Sequence, residues 1–446
     1  MRLIMRGVFW FGLYLTIILT PLVLGVIFFD PSQAASPLIY LSAATGYVAL
    51  ALMATELALV SRLRGVAGAF GIDSLLQFHR QIGIAAMAFA SAHPILLVAD
   101  RAYTMTLLVP STTSPWSVNI GIAAFVLAAL VVGLSVYRRL MRMSYELWHL
   151  THGILSVLLI GFAAAHILSI GRFAAAPIMQ ALLIAYLLFF IAMFLGYRLI
   201  RPLSLRGLPW EVVENRTEHG TSHTLVLRPV GHEGFRFEPG QFAWIGFGRG
   251  PLSTDKHPIS FSSNGDIPND DGAIAFTIKE LGDWSTEVVP RVRVGATAWV
   301  DGPHGVFTID REQGAGYVLI GGGVGITPLY SMLQALETRA DTRPVFVFHA
   351  ANDFEDLTFR EELAATAERM PSLTLVTVLL RADDTWTGER GFVTADTLTR
   401  YLPPTIYRHF QYFICGPTPL MDAMEDVLPS IGVPAEQIHT ERFDMV

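Results

Sequence analysis

Six apolar stretches, each of about 20 residues and nearly free of charge, fill the first two hundred positions at 8–29, 38–60, 79–99, 118–137, 147–169 and 177–198. Each is long enough to cross about 30 Å of hydrocarbon as a helix. Past position 201 the pattern changes to short alternating runs punctuated by Gly and Pro: "EVVEN", "HTLVLRPV", "QFAWIGFG", "GAIAFTIKEL" and "TAWVDGP". Period-two alternation of this kind predicts the strands of a small antiparallel barrel. From 314 onward "GYVLIGGGVGITPLYSMLQAL", "PVFVFHA", "TLVTVLL" and "QYFICGPTPLMDAM" pair apolar strands with helical segments. That alternation predicts a parallel sheet covered by helices on both faces. The expected organisation is a six-helix membrane bundle over 1–204, an antiparallel β-barrel over 205–312 and an α/β nucleotide-binding lobe over 313–446.

Composition agrees with this division. A mean hydropathy of +0.46 over 446 residues with 15% charged residues is too apolar for a wholly soluble chain. Arginine then sets an orientation. Arg2 and Arg6, Arg62, Arg64 and Arg80, Arg138, Arg139 and Arg142, and Arg198, Arg201 and Arg206 all fall on one side of the six spans, against chiefly Arg101 and Arg172 on the other. By the positive-inside rule the rich side is cytoplasmic, together with both termini and everything after the sixth span. The chain is expected to be a multi-pass protein of the cell membrane. The first span also admits a signal-peptide reading, with "SQAAS" as a cleavage site, but its apolar run exceeds a usual h-region and it is read as an anchor. A net charge of −7 and the lack of any Lys/Arg block argue against a nucleic-acid partner. Cys415 is the only cysteine, which excludes disulfides within the chain and Cys-ligated iron–sulfur or zinc centres.

A redox or metal centre would therefore use other ligands, and histidines stand in the spans. His79 and His93 in the third and His152 and His166 in the fifth are each fourteen residues apart. Fourteen residues is about four turns, so each pair shares one helix face with about 21 Å between its members. The two spans run in the same direction, so His79 meets His152 on the cytoplasmic side and His93 meets His166 on the outer side, and each pair can hold a haem iron axially. His149 is off this face and reads as an interfacial residue that faces a propionate. Interhelical hydrogen bonding or a proton relay are the competing uses of intramembrane histidines. A single zinc ion is not served by ligands four turns apart. Met87, Phe89 and Phe162 lie between the two levels, and Gly83 and Gly153 are places where a flat ring can approach the backbone.

In the soluble half, "GGGVGITP" at 321–328 follows a strand and opens a helix, so Gly321, Gly322, Gly323 and Gly325 let a phosphate reach the backbone while Ile326, Thr327 and Pro328 begin the helix. Ile326 stands where the third glycine of G-x-G-x-x-G would be. "CGPTPLMDAM" places Cys415 at the carboxyl edge of a central strand, where open sheets bind ligands; a small buried core residue is the alternative. "HPISFSS" at 257–263, "KELGDWS" at 279–285, "DGPHG" at 301–305 and a terminal "ERFDMV" complete the series.

Taken in this order, the motifs resemble the ferredoxin–NADP reductase type of flavoprotein, joined to a ferric-reductase-like six-helix domain. The whole chain resembles the NADPH oxidase and ferric-chelate reductase superfamily in a minimal prokaryotic form. The resemblance implies that His257, Pro258, Ile259 and Ser260 lie along the isoalloxazine of FAD, with Ser260 near its reactive edge. It implies that Gly282, Asp283, Trp284 and Ser285 cradle the FAD pyrophosphate, that 321–328 receives the pyridine nucleotide, and that Cys415, Gly416 and Pro417 face the nicotinamide. Phe443 matches an aromatic that stacks on the flavin, although three residues follow it here.

The implied cofactors are FAD and two haem b, with NADH or NADPH as donor. The implied function is electron transfer across the membrane to an outer acceptor, dioxygen in preference to a ferric chelate. A haem b relay feeding a quinone or periplasmic partner protein is a different class of reading, and a transporter with a regulatory nucleotide domain is a third. Calcium gating is not expected, because no D-x-[DN]-x-[DN]-G loop occurs. Asp353, after the second strand of the lobe, would accept from a ribose hydroxyl and repel a 2′-phosphate, which predicts that NADH serves at least as well as NADPH. Asp353 as a helix cap and Arg381 as a phosphate contact are the counter-readings.

Overall fold

The computed structural model describes residues 2–28, 35–61, 63–100, 105, 109–170, 174–248, 250–253, 255–266 and 272–442. Phe443, Arg101 and Arg172 lie outside the described residues. The chain divides into two units, Met1–Arg201 and Pro202–Val446.

The first unit is helical: α1 (Arg2–Ile27), α2 (Pro37–Val60), α3 (Arg64–Phe70), α4 (Ile72–Ala99), α5 (Trp116–Val136), α6 (Tyr145–Ile170) and α7 (Pro177–Leu195). Six of these are long and apolar enough to cross a membrane. Ser36 starts α2, its hydroxyl accepting from the Ile39 N–H at 3.3 Å with Pro37 at the first helical position. Small residues set the interior: Ala51 and Ala54 of α2 and Ala86 of α4 are buried with Ile18 and Tyr186, and Ala124 and Ala128 of α5 meet Leu159 of α6. Where lipid replaces water, such residues bring helix backbones together by packing alone. The structure adds α3, which the sequence pattern did not suggest, and begins α4 seven residues before His79, after Gly71 turns the chain at φ +80°. The seventh helix continues through a π-helical turn (Gly196–Ile200) into α8 (Arg201–Ser204).

The second unit opens with six strands: β1 (Trp210–Glu218), β2 (Ser222–Pro229), β3 (Phe242–Phe247), β4 (His257–Ser260), β5 (Ile274–Lys279) and β6 (Thr297–His304), with α9 (Asp283–Glu287) before the last. They pair antiparallel in the order β4-β3-β6-β1-β2-β5, and a Phe261–Phe276 bridge joins the two ends into the expected barrel. Trp210, Phe261, Phe276 and Val300 fill its centre.

Six more strands follow: β7 (Tyr317–Gly322), β8 (Val345–Ala351), β9 (Leu373–Leu379), β10 (Glu389–Arg390), β11 (Gln411–Cys415) and β12 (Ile438–Glu441). Helices α10 (Ile326–Thr338), α11 (Arg360–Arg369), α12 (Ala395–Tyr401) and α13 (Thr418–Ser430) connect them. All pairings are parallel, in the order β10-β9-β8-β7-β11-β12. From β7 the chain winds first toward β10 and later returns to β11, so the strand order reverses at β7. Ligands of open α/β sheets bind outside the carboxyl ends of strands at such a reversal. The barrel and the lobe are stitched together by α10: Ser331 and Gln334 donate to the carbonyls of Ser263 and Ser262 at 2.7 and 2.8 Å.

Candidate functional site

In the membrane unit the helices bring the histidines together in two pairs. The rings of His79 (α4) and His152 (α6) stand 6.2 Å apart between centroids. Those of His93 and His166 stand at the same 6.2 Å. Two metal–imidazole bonds of about 2 Å each, plus the half-ring beyond each nitrogen, span this separation, so both pairs fit a metal bound axially by two imidazoles. His149 is elsewhere: its ring stacks on Tyr145 at 5.4 Å, and its carbonyl accepts from Arg198 at 3.4 Å.

Each ligand candidate is also oriented. His93 Nδ1 donates to the Ser42 carbonyl at 2.8 Å, and the Ser42 hydroxyl in turn donates to the His93 carbonyl at 2.8 Å. His166 Nδ1 donates to the Ser117 carbonyl at 2.8 Å. His152 Nδ1 meets Ser135 Oγ at 3.0 Å, and Ser135 is itself held by Trp148 Nε1 at 3.1 Å and by the Val131 carbonyl at 2.7 Å. His79 Nδ1 contacts the Glu56 carboxylate of α2. With three Nδ1 atoms on oxygens and that of His79 in ion-pair contact with Glu56, Nε2 is the nitrogen that would face a metal, the arrangement that fixes tautomer and ring plane in metal-binding histidines. Two glycines give the His93–His166 pair its space. A Cβ at Gly121 would sit 2.5 Å from the His166 ring, and one at Gly46 would sit 3.3 Å from His93. Gly83 has open space around it, and Gly153 faces Arg198 at 3.2 Å. Met87 packs with Ala124 and Leu159 between the two histidine levels, whereas Phe89 and Phe162 are exposed on the bundle.

In the second unit the carboxyl ends of β7 and β11 gather the lobe's motif residues. Gly321 and Gly322 end β7, Gly323, Val324 and Gly325 form one 3-10 turn, and α10 starts at Ile326 with Thr327 and Pro328 in its first turn. Gly325 lies against the other motif: a Cβ there would be 2.3 Å from the Cys415 carbonyl oxygen and 2.6 Å from Gly416 Cα. Pro417 then starts α13. Gly323 has φ +53° and nothing within 4 Å of its would-be Cβ, so the loop presents bare backbone on that side. Two inaccessible polar atoms beneath it, Thr327 Oγ1 and His349 Nε2, have no hydrogen-bond partner among the described residues. His349 pairs in register with Gly321, and burial holds its imidazole down at about 4, neutral at ordinary pH. Bare loop N–H groups at a helix start, with orphaned donors and acceptors below, suit a phosphorylated nucleotide.

Cys415 is buried, and burial first, then the Glu441 carboxylate, pushes its thiol up and keeps it protonated. Glu441 is the residue that motif reading passed over: β12 pairs with β11 so that Glu441 lies directly beside Cys415, and its carboxylate also faces Gly305. On the barrel, Ser260 ends β4 and is buried. The His257 ring stacks on Trp284 at 4.1 Å, and Trp284 stacks in turn on Phe247. Pro258 and Ile259 pair with Trp244 and Ala243 of β3. The Ser285 hydroxyl accepts from the N–H groups of Leu281 and Gly282, both at 2.9 Å, so it caps its own turn beside Asp283. Ser262 Oγ and Trp284 Nε1 are buried without a partner among the described residues, as expected where a bound group completes the barrel's hydrogen bonds. Asp353 caps the following turn, accepting from the Asp356 N–H at 3.2 Å, and it also accepts from Arg381 at 3.2 Å.

Known proteins match both units. Residues 45–163 match the family "Ferric reductase like transmembrane component", and residues 319–426 match "Oxidoreductase NAD-binding domain". Ferredoxin–NADP reductase B of Sorangium cellulosum is 31% identical over 173 residues, which cover 36% of this chain and 68% of that one. The chain belongs to the ferredoxin–NADP reductase family. Its membrane unit is ferric-reductase-like, and its second unit carries an oxidoreductase NAD-binding domain. The glycine betaine monooxygenase reductase subunit of Chromohalobacter salexigens is 32% identical over 219 residues, 47% of this chain and 56% of the relative. The chain spans just over half the length of the first curated relatives it matches. Among solved structures, flavohemoglobin from Malassezia yamatoensis shares the fold, with a TM-score of 0.50, 18% identity and coverage of 82% of this chain and 97% of that one.

Proposed function

We propose that the protein carries electrons from NAD(P)H across the membrane to an acceptor on the opposite face, through FAD and two haem b groups. The division is 1–204 for the haem domain, 205–312 for FAD and 313–446 for the nucleotide, with both termini cytoplasmic as the arginine distribution requires. The observation that carries the reading is the pair of 6.2 Å histidine couples, each imidazole pinned at Nδ1. When bound, FAD would supply the exchange between a hydride's two electrons and single electrons, and haem would supply one-electron transfer.

The chain's own residues supply the rest. Gly323, Gly325 and the start of α10 receive the nucleotide phosphates, while Cys415 and Glu441 line the end of β11 with a protonated thiol and a carboxylate. Ser260 and the His257–Trp284 stack would border the flavin side. His79, His152, His93 and His166 would hold the irons, and their Nδ1 partners keep the rings from turning. Dioxygen, giving superoxide, is the acceptor we favour on the opposite face. The match to a ferric-reductase-like component supports a second reading, reduction of a ferric chelate.

The purified protein is expected to show a b-type haem spectrum that NADH reduces. His93→Ala or His166→Ala should remove one of two haems and leave flavin reduction intact, while His149→Ala keeps both. NADH-driven cytochrome c reduction abolished by superoxide dismutase assigns dioxygen. Insensitivity to the dismutase with rapid ferric chelate reduction assigns iron.

A further inference from the structure

Three of the four pinned imidazoles lean on neutral oxygens: the carbonyls of Ser42 and Ser117 and the hydroxyl of Ser135. His79 alone leans on a carboxylate. Glu56 is the single acidic residue of α2. Its side chain is 12% exposed, both of its carboxylate oxygens are inaccessible, and His79 is its one ion-pair partner among the described residues. An acid at this depth is costly and is seldom kept without a task. A carboxylate accepting from Nδ1–H gives the imidazole anionic character and makes Nε2 a stronger donor, and in a medium of low dielectric that effect is large.

We propose that Glu56 is a positioning residue that lowers the midpoint potential of the His79–His152 haem below that of the His93–His166 haem. A stronger axial donor and a nearby negative charge both favour the ferric over the ferrous state. The direction suits the topology. Arg198, in the last turn before the chain leaves the membrane unit, lies against the His149 carbonyl and Gly153, next to His152 in sequence. The His79–His152 level is therefore at the end of the bundle from which the chain continues into the flavoprotein unit. Electrons entering at that pair would run downhill to the other. This inference rests on the bis-histidine haem reading.

The test is an optical redox titration of the purified holoprotein in detergent, for wild type, His166→Ala, Glu56→Gln and Glu56→Asp. His166→Ala leaves one haem and so identifies the His79–His152 component, which is expected to be the lower of the two wild-type potentials. Glu56→Gln keeps an acceptor for Nδ1–H but removes the charge, so that component should shift upward at full haem content while the other stays in place. Glu56→Asp should restore it. A helix-packing role would change haem content or stability and leave the potential alone. An unchanged potential in Glu56→Gln with both haems present overturns the proposal, and that is also the result if Glu56 is uncharged in the wild type. If Glu56→Gln fails to assemble, the order of potentials decides: the component surviving in His166→Ala being the higher one overturns the proposal. Wild-type protein without a haem spectrum would instead sink the haem reading itself.

Discussion

Gly121 of α5 lies so close to His166 of α6 that a methyl group on its Cα would sit 2.5 Å from the imidazole. The same edge of the ring is held through Nδ1 by the Ser117 carbonyl of that helix, one turn earlier. Gly121→Ala is therefore expected to push His166 out of line with His93 and to halve the haem content. Flavin reduction by NADH should stay at the wild-type rate. A pyridine haemochrome assay beside stopped-flow flavin bleaching checks both halves of the expectation.

The contact of Gly325 with the Cys415 carbonyl gives a counterpart in the other unit. Gly325→Ala has to part the glycine turn from the end of β11. A displacement of about 1 Å in a positioning element costs about 10²-fold in kcat/KM. The loss should appear in NADH-dependent flavin reduction, with bound flavin and both haems retained. Chemical reduction of the flavin by dithionite should be unaffected.

Nucleotide choice follows from the Asp353–Arg381 pair. The Asp353 carboxylate beside Arg381 would repel a 2′-phosphate and could accept from a ribose hydroxyl, so NADH is expected to serve at least as well as NADPH. Asp353→Ala releases the arginine. A charged hydrogen bond is worth about 1.5–3 kcal/mol, so kcat/KM for NADPH should rise roughly tenfold or more while that for NADH falls. Steady-state kinetics with both nucleotides, on wild type, Asp353→Ala and Arg381→Ala, test the pair.

His349 makes the flavoprotein unit acid-sensitive. Burial holds its imidazole at about 4 against an ordinary 6.5, so the unfolded chain takes up a proton near pH 6.5 that the folded one refuses until about pH 4. The stability contributed by the neutral ring is complete above pH 6.5 and is lost as the pH falls toward 4. Full titration amounts to about 3 kcal/mol. Thermal release of flavin fluorescence should shift to lower temperature between pH 7 and pH 5, and His349→Phe should flatten that slope.

What the sequence made legible was what recurs along it. The six spans, the alternating strands and the two fourteen-residue intervals are periodic signals within one segment, and histidines stand out against an apolar background. Glu56, Gly121 and Glu441 act across elements. Glu56 reaches His79 from a different helix, Gly121 matters through the ring opposite it, and Glu441 meets Cys415 only because β12 returns in register beside β11. No local pattern encodes those pairings. The seven residues of α3 are too few to show a helical period, and "HPIS" is too short to show a strand's alternation.

The equal spacing of the two histidine pairs also constrains how this chain can change over time. One residue inserted between His79 and His93 would turn everything beyond it by about 100° and lift it by about 1.5 Å. His93 would then leave His166 while His79 stayed with His152. The same holds on α6 between His152 and His166. These two intervals can therefore vary in composition but not in length, and a scan of single-residue insertions along the chain should find both of them intolerant.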